Sequence, residues 1–173
     1  MKVYIENRQR SIKLNQQKKI NLIKKALKFL GLKEAEVSIL FVNDSRMKKL
    51  NNTYRGMDMV TDVLSFPQLG TKELKYISKK VTSKPSNFQS LYLSLGDIVI
   101  NLQSAKRQAV EHGLSLDEEI NRLIIHGLLH LLGYDHEKNS YQKKKMELKE
   151  KELFDALTFL CRRKAGTCHF FRV

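Results

Sequence analysis

The sequence predicts an α+β domain, a single small mixed sheet of about four strands with helices packed on it. Stretches of strand length and composition fall at residues 2–7, 36–43, 61–67 and 91–101. Between and after them, apolar residues recur at helical spacing. The two kinds of segment are mixed without strict alternation, which favours α+β.

The elements follow in chain order. "KVYIEN" (2–7) alternates as a strand does. "NQQKKINLIKKALKFLG" (15–31) places Ile20, Ile23, Leu27 and Leu30 at helical spacing, its lysines on the polar side, and Gly31 is a stop signal. "EVSILFVN" (36–43) is a second strand, after which Asp44 can cap a short helix through Met47, Leu50 and Tyr54. "TDVLSFP" (61–67) is a third strand, closed by Pro67. Residues 68–90 are rich in Lys, Ser and Thr and read mostly as loop. "LYLSLGDIVIN" (91–101) is a fourth strand, and "LQSAKRQAVEHG" a helix ending at Gly113. Ser115 and Glu118 have the spacing of a capping box, so a helix starts there, runs to about Leu132 and stops at Gly133. A last helix, rich in Lys–Glu pairs, spans about Ser140 to Leu157. Residues 1–157 are read as one domain and 158–173 as a basic C-terminal tail of open role.

The chain has 173 residues, 42% hydrophobic and 29% charged, which excludes wholesale disorder. Its 32 Lys+Arg against 18 Asp+Glu give a net charge of +14. An excess this large favours a polyanionic partner, nucleic acid ahead of an anionic membrane surface. Residues 1–33 concentrate it, with ten Lys/Arg and one acid, Glu6. That helix is either a solvated face or one that tracks phosphates. No apolar stretch has the form of a signal peptide, and none approaches the ~20 residues of a membrane span. Two cysteines, Cys161 and Cys168, suggest a reducing compartment without a disulfide framework, hence a cytoplasmic protein.

The chemistry lies in "HGLLHLLGYDH" (126–136). His126 and His130 are four apart on a helix, so their rings point the same way about 6 Å apart along the axis. Both can then reach one ion at about 2 Å. Gly133 can take the left-handed conformation that ends a helix and swings His136 back towards the same ion. Three histidines plus water make an open tetrahedral site, the usual form of a catalytic zinc. Zinc is the first choice of divalent ion; nickel, cobalt and copper also suit imidazole. A large group of zinc proteases shares this spacing but has a glutamate base directly after the first histidine. Here that position holds Gly127.

Other candidates are weaker. His112, beside Gly113, reads as a surface residue. Cys161, Cys168 and His169 fit no common zinc spacing and read as free groups on a basic tail. Met146 suits either an apolar floor under the metal or plain core packing. Asp135 could accept an imidazole N–H, orient water or cap the turn at Gly133; Asp62 could do similar work or simply cap and pair.

With these histidines, "LNNTYRGMDMVTDVLSFP" (50–67) and "LGDIVI" (95–100) make a chain that resembles the YbeY family of bacterial rRNA maturation factors, metal-dependent endoribonucleases that prefer single strands. Order, composition and spacing agree over about residues 36–152; the first thirty-five agree only in general character, and "CRRKAGTCHFFRV" has no counterpart. The resemblance implies that His126, His130 and His136 bind the metal, in a cleft between sheet and helix, and that Arg55 faces it. It also implies work on the 3′ end of small-subunit rRNA and in ribosome quality control, with a small-subunit ribosomal protein and a ribosome-assembly GTPase as partners. Nothing in the sequence demands more than a monomer.

The chemistry of the residues leads the same way. Without a glutamate base a peptide hydrolase lacks its proton shuttle. A phosphodiester needs less of it, because a metal ion polarises a phosphoryl oxygen and activates water. It does need positive charge for the charge growing on the phosphorane oxygens, which an arginine fork supplies. Arg55 sits in "YRGMD", where Gly56 allows a turn that presents it; the structural alternative is a salt bridge to Asp58 or Asp62. The rival readings are an RNA-binding assembly factor with a structural metal, and a metalloprotease, which Gly127 disfavours.

Overall fold

The computed structural model describes residues 1–70, 93–136 and 139–162. The strands are β1 (Lys2–Asn7), β2 (Ala35–Val42), β3 (Val63–Pro67) and β4 (Leu93–Asn101). The helices are α1 (Gln16–Phe29), α2 (Asp44–Arg55), α3 (Leu102–Glu111), α4 (Leu116–Leu131) and α5 (Ser140–Arg162). The strands form one mixed sheet in the order β1-β2-β4-β3, parallel except for β3, which runs antiparallel to β4 at the edge. This is the predicted α+β arrangement.

Strand alternation divides the sheet into two faces. Val37, Ile39 and Phe41 of β2 and Ile98 and Ile100 of β4 enter the main core with Ile23 and Leu27 of α1, Leu123, Ile124 and Leu128 of α4, and Met146 and Leu153 of α5. Each large aliphatic side chain fully buried there contributes about 1.5–3 kcal/mol. Met146 is thus a core residue. On the other face a smaller cluster joins Val42, Leu64 and Val99 to Met47 of α2. Beyond it Tyr4 of β1 is left 51% exposed.

Several local devices differ from the sequence reading. Asn43, not Asp44, caps α2 by accepting from the Arg46 N–H at 3.0 Å. Asp44, one residue later, accepts from Arg107 at 2.8 and 2.9 Å and from Asn101 at 2.6 Å, tying α2 to α3. Lys19 does not share the polar side of α1. It is 1% exposed, and its ammonium donates to Asp117 Oδ1 at 2.7 Å and Asn121 Oδ1 at 2.6 Å on α4. Burial lowers its pKa, only partly offset by Asp117. The other nine basic residues of that segment are exposed. The capping box at Ser115 and Glu118 forms as expected. Helix α5 continues to Arg162, past the expected end at Leu157. Most of the loop reading, residues 71–90, and the tail residues 163–173 with Cys168 and His169 lie outside the described residues. Among the described residues no helix is long and apolar enough to cross a membrane.

Candidate metal centre

The helix that carries His126 and His130 is fixed at both ends. The capping box starts it, and Gly133 at φ 83° ends it. There Tyr134 N–H reaches back to Leu129 O at 3.0 Å and Gly133 N–H to His130 O at 2.9 Å. This paired closure ties down two carbonyls of the last turn and reverses the chain. His136 is thereby returned to the side of α4 that carries His126 and His130.

The three imidazoles meet. Nε2 of His126 and Nε2 of His130 lie 3.1 Å apart, and the His136 ring centre is 5.2 Å from each of the other two. One nitrogen from each falls within 4.8 Å of the others, and all three side chains are half-buried. Ligand nitrogens about 2.0–2.1 Å from a tetrahedral ion lie about 3.3 Å from one another. The cluster is therefore of a size that can hold a metal ion.

A residue that sequence reasoning missed supports this geometry. Glu150 of α5 brings Oε1 to 2.5 Å from Nδ1 of His126. A carboxylate on Nδ1 holds that nitrogen as a donor and leaves the lone pair of Nε2 pointing into the cluster. In the sequence Glu150 is one of many acids in a Lys–Glu-rich helix, and only the packing of α5 on α4 distinguishes it.

The histidines line a cleft of about 700 Å³ bounded by β3, the C-terminal end of α2 and the turn after α4. Arg55 lines the same cleft. It is the last residue of α2, followed by Gly56 at φ 68°, whose left-handed conformation makes the turn the sequence suggested. The loop beyond is held by buried Asn51, whose amide donates to Met59 O at 2.8 Å. Asp58 pairs with Lys48 at 3.1 Å, and Asp62 accepts from Gln108 at 3.0 Å and from the Val63 N–H at 2.8 Å. Burial pushes the Asp62 carboxyl up, but these donors outweigh it, and its pKa lies below the ordinary value. Asp62 and Asp135 both line the cleft.

Arg122, also unremarked in the sequence, joins the cleft wall. Its guanidinium is clamped on the fully buried carboxylate of Glu119, with Nη2 to Oε1 at 2.6 Å. His112 also meets Glu119, at 3.1 Å, away from the three histidines. Burial pushes the Glu119 carboxyl up; the Arg122 and His112 contacts prevail and hold it below its usual range.

Gly127 has a packing reason. A Cβ built there would stand 2.7 Å from Cγ2 of Ile98, which is itself fully buried in β4. The backbone of α4 is pressed onto the sheet at this point, and Ser65 Oγ of β3 donates to Gly127 O at 3.4 Å. A glutamate at this position would drive its stem into Ile98.

Comparison with known proteins agrees with this picture. The family model for endoribonuclease YbeY matches residues 4–158. A protein of Persephonella marina named endoribonuclease YbeY is 42% identical over 133 residues, covering 77% of each chain. One of the same name from Leptospira interrogans is 44% identical, covering 75% of this chain and 92% of its own. The solution structure of TM1509 from Thermotoga maritima shares the fold, with a TM-score of 0.58 and 24% identity over 96% of this chain and 99% of that one. A family model spanning nearly all of the described residues, with relatives this similar over three-quarters of the length, establishes that the chain belongs to the endoribonuclease YbeY family.

Proposed function

We propose that this protein is a metal-dependent endoribonuclease that cuts single-stranded RNA in the cytoplasm during maturation of small-subunit rRNA. The observation that carries the reading is the convergence of His126, His130, His136 and Arg55 on one cleft, in a chain of this family. His126, His130 and His136 would hold one divalent ion, with zinc preferred for three imidazole ligands and nickel second. Bound there, the ion supplies Lewis acidity towards a phosphoryl oxygen and towards water.

The remaining work falls to the protein's own side chains. Glu150 orients the His126 ring. Arg55, on the cleft wall, binds the scissile phosphate through its two-pronged guanidinium and stabilises charge that grows on the phosphoryl oxygens. Arg122, clamped by Glu119, adds positive potential to the wall without leaving its partner. Asp62 stays ionised near neutral pH but is occupied by its donors, so it shapes the cleft rather than moving protons. Partners at the ribosome, a small-subunit protein and an assembly GTPase, belong to the same reading.

The alternative peptidase chemistry finds no support in the cleft, since the base position is closed by Ile98. The test is incubation of metal-loaded protein with single-stranded RNA and with casein, beside a His130→Ala control. Cleavage of RNA alone, lost in the variant, is expected. RNA binding without cleavage would overturn the enzymatic reading in favour of an assembly factor.

A further inference from the structure

The sheet face away from the main core carries a second cavity, of about 670 Å³, whose walls include Tyr4, Ser38, Tyr54, Phe66 and Asp97. Four of these form one row across the sheet. Tyr4 of β1 pairs in register with Ser38 of β2, Ser38 with Asp97 of β4, and Asp97 with Phe66 of β3. The fifth, Tyr54 of α2, packs edge-on against Phe66 with ring centres 4.9 Å apart. Tyr54 and Phe66 also line the metal cleft, so the two cavities meet around the edge strand β3.

We propose that this face is a platform for the bases of single-stranded RNA flanking the scissile phosphate. The proposal rests on the RNA-cleaving reading above and extends it to substrate selection. Three strand spacings separate Tyr4 from Phe66, about 14 Å. Aromatic side chains on the open face of a four-stranded sheet stack two or three unpaired bases in a known class of RNA-binding module. The two tyrosines at the ends are 51% and 63% exposed, large ring surfaces that the protein itself does not cover. Exposed apolar surface gathered in one concavity marks a binding site.

Charge sets the orientation of the strand. Among the described residues, the charged groups lining the groove are two acids, Glu6 and Asp97, which disfavour phosphates and favour bases. The sugar–phosphate chain then faces outward, on a protein of net charge +14. Glu6 is paired with Arg8, while among the described residues Asp97 has one long hydrogen bond, 3.4 Å from the Gln68 amide. Its carboxylate is therefore placed to accept from base amino groups. A duplex presents neither unstacked faces nor free pairing edges, so the platform selects single strands.

Tyr4 provides the test, because it lies at the end of the row away from the cleft. Full-length protein is titrated with labelled single-stranded RNA of about twelve nucleotides, carrying 2-aminopurine as a stacking reporter, and with a duplex of the same sequence. Tyr4→Ala is expected to weaken single-strand binding roughly 5- to 100-fold, the effect of losing one stacked base. It should also abolish reporter quenching and leave duplex binding unchanged, while Tyr4→Phe behaves as wild type. Unchanged single-strand affinity in Tyr4→Ala, or an equal loss for duplex and single strand, would overturn the platform. Cleavage by wild type is scored in the same samples. Normal cleavage with an indifferent Tyr4 rejects the platform alone, whereas absent cleavage rejects the nuclease reading whatever Tyr4 does.

Discussion

Replacing Glu150 should weaken metal binding without unfolding the protein. The carboxylate meets Nδ1 of His126 at 2.5 Å and is 25% exposed, so it acts on the proposed ion through one imidazole. A charge about 6 Å from a divalent ion contributes about 1.4–2.8 kcal/mol for effective dielectric values between about 80 and 40. That corresponds to about 10–100-fold in affinity, the usual effect of losing such an outer partner. Glu150→Gln keeps an acceptor for the Nδ1 proton and loses only the charge, so it should fall near the lower bound. Glu150→Ala loses both and should fall near the upper. Competition with a calibrated chelator at fixed pH gives both affinities, and cobalt loaded into each variant reports coordination through its visible spectrum. Equal affinity for zinc in wild type, Glu150→Gln and Glu150→Ala would refute the reasoning, and with it the assignment of His126 as a ligand oriented by α5.

Three further outcomes are expected. Arg55→Ala should keep its metal, measured by elemental analysis, yet lose roughly 10²–10³-fold in single-turnover RNA cleavage; Arg55→Lys should retain part of the rate, and a wild-type rate in Arg55→Ala would remove Arg55 from the chemistry. Gly127→Ala forces a methyl against Ile98 at 2.7 Å, so urea unfolding of the single and double variants with Ile98→Ala should show about 1–3 kcal/mol of relief in the pair; additive effects would contradict the packing argument. Glu119 has a folded-state pKa below its unfolded one, so its stabilisation is complete above the ordinary carboxylate range and is lost as pH falls through it; the stability gap between wild type and Glu119→Gln should therefore shrink from pH 7 towards about pH 3, and a gap independent of pH would count against the Arg122–Glu119 clamp.

The sequence carried those features that periodicity and local chemistry encode. The four strands, the capping box at Ser115 and the left-handed stop at Gly133 are short-range patterns, and the structure has them where expected. The histidine cluster was legible for the same reason: two of its histidines sit one helical turn apart and the third follows a glycine turn. Tertiary partners were not legible. Lys19 looks like any other lysine of a basic helix until α4 supplies Asp117 and Asn121. Glu150, which meets His126, and Arg122, which lines the cleft, are marked by local pattern only as surface charge. Asn43 and Asp44 are adjacent and both capable of capping; the contest was decided by Arg107 and Asn101, far along the chain, which claim the aspartate.

The contact between Gly127 and Ile98 also bears on the protein's evolutionary reach. Its histidine spacing is one shared with peptidases, and in the genetic sense a single codon separates it from acquiring their acidic neighbour. Packing closes that route. A lineage trying glutamate at 127 would first lose the seating of α4 on β4, and with it the alignment of the very histidines the new residue would need. Any passage would require Ile98 to shrink beforehand, a change that by itself opens a cavity at about 2–5 kcal/mol. The fold thus separates this histidine arrangement from the peptidase one by a mutational valley.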